Sequence, residues 1–349
     1  MALAAMLTAA SCGKETPKPE RQAADTAAVS ATLKDYTAGA AQKPRSIACA
    51  GGKVYVSCGH TPAILCIDTA GHRIESMLEF NTSYDLEGIA VAGDRLYATS
   101  SWTTAEDGSA LYDNRVFVVE RGSMALVGTI TVPTDPTRIA AIDDGHLIVV
   151  CGNGYDAPAT TAIIDIASGT VSDLELPLTA FDVKDGMVYG YSGGGYTNAA
   201  TYYRLDPATG TFEQVMQSCN VANPYSIRCI GDKTYLTTYE LGAAGDVVCV
   251  DGWRSEAGML PSKIEPLADG TAYVLCEGNW GGNDASLSRV DLASGSIANN
   301  VFGTANGRGL GDVAQDIAVY GSKAYITVSF SNTIEVVSTA DNSSIQLHL

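Results

Sequence analysis

The side chains of this chain are better suited to recognition by flat rings and amides than to breaking bonds. Trp102, Tyr112 and Asn114 fall in one run, Asn153 and Tyr155 in another, and Tyr196 and Asn198 follow Gly193-Gly194-Gly195. Tyr239 adjoins Glu240, Asn279-Trp280 closely precedes Asn283, and Phe330 stands two places before Asn332. Tyr84, Asp85, Arg138, Tyr225, Arg228, Arg308 and Gln315 lie between these runs. Rings offer stacking faces, and side-chain amides both donate and accept. Together they suit a large, mostly uncharged, amphipathic ligand. The candidate binding set is Trp102, Tyr112, Tyr155, Tyr196, Tyr225, Tyr239, Asn279, Trp280, Asn283, Arg308 and Phe330.

Metal-binding patterns are missing. The histidines, His60, His72, His146 and His348, are isolated from one another, and no Cys-x-x-Cys occurs. There is no Walker loop. His60 reads as a solvent-exposed loop residue. Glu87, Asp182 and Asp316 are acids that could face a central channel, where propeller hydrolases hold calcium, but their sequence context matches ordinary strand ends. Most cysteines fall in strand-like runs, where cysteine acts as a small hydrophobe. Cys58 and Cys66 are predicted on adjacent strands, close enough to pair in an oxidising compartment. No catalytic residue, metal ligand or cofactor is assigned.

The elements that carry these residues repeat seven times. Each repeat has a Gly/Asp turn pair, two residues, then a Tyr or Ile between apolar neighbours. The pairs are Gly51-Gly52, Gly93-Asp94, Asp144-Gly145, Asp185-Gly186, Gly231-Asp232, Asp269-Gly270 and Gly321-Ser322. The aligned positions are Tyr55, Tyr97, Ile148, Tyr189, Tyr235, Tyr273 and Tyr325, on average 45 residues apart. Such pairs supply the positive φ of tight hairpins. A short apolar strand precedes each pair and a second follows it. A third strand generally ends in an acid (Asp68, Glu120, Asp165, Asp206, Asp251, Asp291), and a fourth comes after. Four strands in a period near 45 predict an all-β, seven-bladed propeller with four antiparallel strands per blade. A solenoid would repeat at a shorter, more constant period.

In such a ring the first-to-second and third-to-fourth turns share one face. The second-to-third loops and the crossings between blades share the other. The first class is short throughout and the second varies. The crossing into blade seven is the longest, with Tyr325 34 residues beyond Asp291. Variable loops on a rigid ring usually carry binding, and the candidate residues sit on them.

Composition narrows the partners. Hydrophobic residues reach 46% against 17% charged, which argues for a packed fold. A net charge of −18 argues against nucleic acid, whose phosphates require clustered bases. Residues 1–11 are apolar and end in small residues before Cys12, like a bacterial lipoprotein signal in which Cys12 is lipidated. Residues 13–43 are polar and rich in Pro and Ala, as a flexible tether would be, leaving 44–349 for the ring.

The last third carries a resemblance. Val274-Leu275-Cys276-Glu277-Gly278-Asn279-Trp280-Gly281-Gly282-Asn283-Asp284 is followed by Asn306-Gly307-Arg308-Gly309-Leu310-Gly311-Asp312, then by Ala314-Gln315-Asp316-Ile317. These runs resemble the YncE-like surface propellers of Bacteroidetes, a domain family of unknown function. Some relatives in that wider group are vitamin B12-capturing lipoproteins seated on a TonB-dependent outer-membrane transporter. The motif resemblance covers blades six and seven. The family commonly carries Glu-Gly-Asn near its mature N-terminus, whereas here it lies in blade six. The resemblance implies a lipid-anchored, surface-exposed outer-membrane protein that binds a corrinoid and delivers it to such a transporter. A protein- or glycan-interaction ring and a calcium-dependent hydrolase or lactonase are the alternatives.

Overall fold

The computed structural model describes residues 28–155, 158–194, 200–216, 221–240 and 242–347. Seven antiparallel sheets follow one another along the chain, each a blade of a β-propeller. The innermost strands are Pro44–Ala50, Leu86–Ala92, Pro136–Ala141, Ala180–Lys184, Pro224–Ile230, Pro261–Pro266 and Ala314–Tyr320. In every blade the second, third and fourth strands then step outward in chain order. The repeat residues explain this. Gly51 and Gly52 both adopt positive φ (58° and 78°), giving the mirror-type turn that a tight hairpin needs. Asp68 caps the next turn by accepting from the Gly71 amide. Asp165 and Asp291 do the same for Ser168 and Ser294.

Tyr55, Tyr97, Ile148, Tyr235, Tyr273 and Tyr325 are buried on the second strands, in the apolar layers where blades meet. Tyr189, the aligned position of blade four, is only partly buried. Cys58 and Cys66 are both free. Cys58 lies opposite Ala63, so Cys66, an odd number of residues further on, faces away from it. Cys58 packs towards blade seven and Cys66 towards blade two, which corrects the expectation that they could pair. Ala31–Lys34, within the stretch read as tether, is a strand: it pairs with Arg73–Phe80 as a fifth, outermost strand of blade one. Val29 and Ala31 pack on the blade one–two core, a contribution too short to show as alternation in sequence. Cys12 lies outside the described residues.

Among the described residues no strand is exchanged between blade seven and blade one; each sheet has its four strands without the other. The junction is held by side chains. Asp316 accepts from the Ser46 hydroxyl at 2.8 Å and the Ile47 amide at 3.0 Å, and Thr327 donates to the Arg45 carbonyl at 2.7 Å. Below them Val54, Val56, Leu65 and Ile67 of blade one pack with Tyr325 and Val336 of blade seven. Asp316→Ala leaves the Ile47 amide unsatisfied and should lower unfolding free energy by about 2–4 kcal/mol. Denaturant titration checks this. A loss below about 0.5 kcal/mol, the size of an ordinary surface change, would assign closure to the apolar layer alone.

Candidate functional site

Six of the seven innermost strands carry a register shift at their first residues, as between Pro136 and Arg138 or Pro224 and Ser226. Four of these strands begin with proline (Pro44, Pro136, Pro224, Pro261), a residue confined to strand starts, edges and bulges. Buried hydroxyls of the neighbouring strand occupy the irregular positions: Ser57 accepts from the Ser46 amide, Thr99 from Gly88 and Thr327 from Asp316. A bulge bends its strand and re-aims side chains. Here it turns Arg45, Glu87, Arg138, Tyr225, Lys263 and Gln315 towards the axis, at the end of the ring that holds the crossings and second-to-third loops.

The result is an open central cavity of about 1080 Å³ lined by all seven innermost strands. Ser101, Trp102, Ala110, Tyr112, Asp135 and Glu277 form part of its mouth, whereas none of the first-to-second turns lines it. Trp102 and Tyr112 are direct cross-strand partners on the hairpin Arg95–Thr104/Ala110–Glu120, which is longer than any other in the ring. The half-buried Tyr112 ring sits against Gly154, where a Cβ would lie only 2.7 Å from the ring. Across the mouth Tyr225 stacks on Tyr239, ring centroids 5.9 Å apart, and donates to Glu277 at 3.2 Å.

The inward carboxylates mostly bind neighbouring blades. Arg45 holds Glu87 with two bonds of 2.6 and 2.8 Å. Arg228 bridges Asp182 and Glu265 at 3.0 Å each, and Asp182 also accepts from the Cys229 amide. Lys263 approaches Asp316 at 3.4 Å. Burial pushes the carboxyls of Glu87 and Glu265 above their ordinary range, with Arg45 and Arg228 opposing the shift. Glu277 is also pushed up by burial, against the Tyr225 hydrogen bond. Among the described residues no group of three or more His, Cys, Asp or Glu side chains is placed to hold a metal ion, and no histidine lines the cavity. His60 is exposed.

Of the candidate set, Trp102, Tyr112 and Tyr225 line this mouth, with Tyr239 behind Tyr225. Trp280 and Phe330 form a separate edge-to-face pair at 6.1 Å, 79% and 43% exposed, with the Lys43 ammonium over the Phe330 ring. Asn279 donates to Asp284 within its own loop, and Asn283 turns that loop with a φ of 51°. Arg308 lies elsewhere. It follows the helix Val301–Asn306, forks onto Glu335 and covers the Phe302 ring, so its charge is spent on holding the outer part of blade seven. The Tyr155 side chain and all of Tyr196 lie outside the described residues. Arg138, which is outside the candidate set, and Glu277, part of the blade six motif, also line the cavity. Proline at the starts of the innermost strands marks where such channel residues occur.

No protein-family model matches the chain, and no curated protein matches it. Solved structures do. Hydrazine synthase from Kuenenia stuttgartiensis aligns with a TM-score of 0.62 at 14% identity, covering 88% of this chain and 99% of that one. A catalytically inactive histidine-to-alanine variant of virginiamycin B lyase from Staphylococcus aureus, with quinupristin, aligns at 0.60 and 14%, covering 87% and 98%. A functionally unknown protein from Desulfotomaculum acetoxidans aligns at 0.63 and 15%, covering 85% and 95%. At these identities the likeness is one of fold, and its bearers differ in function.

Glu277 gives a pH test. Its raised carboxyl holds its proton more tightly in the folded than in the unfolded chain. Stability from this group is therefore full below the ordinary value of 4.5 and is lost as pH rises through the higher folded value. Glu277→Gln should remove that loss. The variant should gain stability relative to the parent as pH rises from 4.5 towards neutral, with the difference vanishing below it, in denaturant midpoints measured across pH.

Proposed function

We propose that this ring is a non-enzymatic, lipid-anchored surface protein that holds a corrinoid at its cavity mouth and passes it to a TonB-dependent outer-membrane transporter. The observation that carries the binding reading is the cavity of about 1080 Å³ with Trp102, Tyr112 and Tyr225 at one opening. That opening offers ring faces to a bulky, flat, amide-fringed molecule. A rigid platform also reduces the ordering that binding must overcome. Corrinoid identity, the anchor at Cys12 and the transporter rest on the resemblance of the blade six and seven motifs and of the N-terminal residues. A hydrolytic reading asks for free inward acids, and Glu87, Asp182, Glu265 and Asp316 are engaged in bonds between blades. The exposed Trp280–Phe330 pair, outside the cavity, favours a second role for the same protein: contact with a partner macromolecule.

Calorimetric titration of the protein with cyanocobalamin tests the proposal. Binding at micromolar concentrations or tighter is expected, and its absence there overturns the corrinoid reading. Trp102→Ala should weaken affinity about tenfold or more, as loss of a central stacked anchor does. Trp280→Ala should leave it within about twofold, as at a peripheral position.

A further inference from the structure

The bases around the cavity differ in one respect. Arg45, Arg228 and Lys263 each have a carboxylate partner on another blade. Arg138 is exposed in the cavity and, among the described residues, has neither an ion pair nor a side-chain hydrogen bond. Its charge is felt by Tyr191 of blade four, Tyr225 of blade five and Glu277 of blade six, although Arg138 itself belongs to blade three. Its exposure and its place in the cavity lining put the guanidinium in the open space, beside Tyr225 and Glu277 of the same lining. The groups around it leave its N–H donors free. The Tyr225 hydroxyl is given to Glu277, the Tyr191 hydroxyl to the Pro224 carbonyl, and Ser262 to the Leu275 carbonyl. Asp135, at the same mouth, accepts from Ser101.

In a chain of net charge −18, acids are plentiful, yet Arg138 has none at ion-pair distance; Glu277 feels its charge only from farther off, so the fork on the cavity wall is a position held open. The distant negative charges are screened within about 10 Å at ordinary ionic strength, and an anion at hydrogen-bond distance answers mainly to the fork it touches. We infer that Arg138 is an anion-binding subsite of this cavity, receiving a phosphodiester or carboxylate group of the molecule held at the mouth. This rests on the reading of the cavity as a binding site and deepens it: the ligand combines a flat, stackable body with one anionic oxygen group. The body lies on the side of Trp102 and Tyr112, and the anion lies towards blades four to six.

Two corrinoids separate the terms. Cyanocobalamin carries a phosphodiester in its nucleotide arm, and dicyanocobinamide has the same ring without that arm or its phosphate. Titrations use the parent protein, Arg138→Gln and Arg138→Lys. Arg138→Gln should lose roughly ten- to a hundredfold in affinity for cyanocobalamin, the size of a hydrogen-bonded charge. It should leave dicyanocobinamide unchanged, and Arg138→Lys should keep part of the difference. Equal loss for both ligands, or loss for neither, overturns the subsite; a fall in melting temperature with unchanged affinities would show Arg138 serving only to balance Glu277. Should the parent bind neither corrinoid, the ligand assignment fails while the subsite is still decided by inorganic phosphate. The Arg138 side-chain N–H resonance, identified by its absence in Arg138→Lys, should shift on phosphate titration. No shift at millimolar phosphate overturns the inference independently of any corrinoid.

Discussion

Everything in this molecule depends on closing a ring whose first and last blades share no strand. Sheets that stop at their own blade leave the junction to side chains, and the Asp316 carboxylate is placed there to accept from Ser46 and Ile47 of blade one. The same device recurs where Asp182 takes the Cys229 amide and where Glu265 reaches the Val319 amide at 3.3 Å. An innermost strand is a sheet edge facing the axis, with amides that no further strand can satisfy. Carboxylates from the neighbouring blade satisfy them, so the acids that hold the ring together also give the cavity wall its charge.

Because these acids are engaged in holding the ring, the groups the cavity has left to offer a ligand are others. Trp102 and Tyr112 reach the mouth on a hairpin that outgrows its neighbours, Tyr225 arrives through a bulge, and Arg138 through the bulge that opens Pro136–Ala141. All four depend on local departures from the regular blade. The regular parts bury their side chains between sheets, while a bulge or an overlong hairpin delivers one into open space. Architecture and the proposed recognition thus draw on different residues of the same strands.

Most of the fold was legible in the sequence because its cues are local and repeated. Gly51-Gly52 announces a hairpin wherever it stands, and Asp68 or Asp291 caps the turn immediately after it. The cavity mouth was legible only in part. Trp102, Tyr112 and Tyr225 could be placed on the correct end of the ring from loop class alone, but which loop side chains meet is set by long-range geometry. Arg308 illustrates the difficulty: its Gly-rich surroundings read as an exposed crossing, whereas a short helix swings it onto Glu335. Cys58 and Cys66 failed on parity, since adjacent strands bring two residues together only in matching register. Nothing periodic marked Ala31–Lys34, which joins blade one through backbone pairing to Arg73–Phe80.

The outward rim of the ring varies in a way that bears on solubility. Blades six and seven end in strands of only two residues, Ile297–Ala298 and Ser344–Ile345, and blade one is finished by Ala31–Lys34, where Lys34 pairs with Glu79. Short or charged margins give another chain little to add to. Ala125–Thr131 of blade two and Thr211–Met216 of blade four are longer and leave Val127, Phe212 and Val215 open to solvent. Those two margins are where strand-by-strand aggregation of this protein would begin.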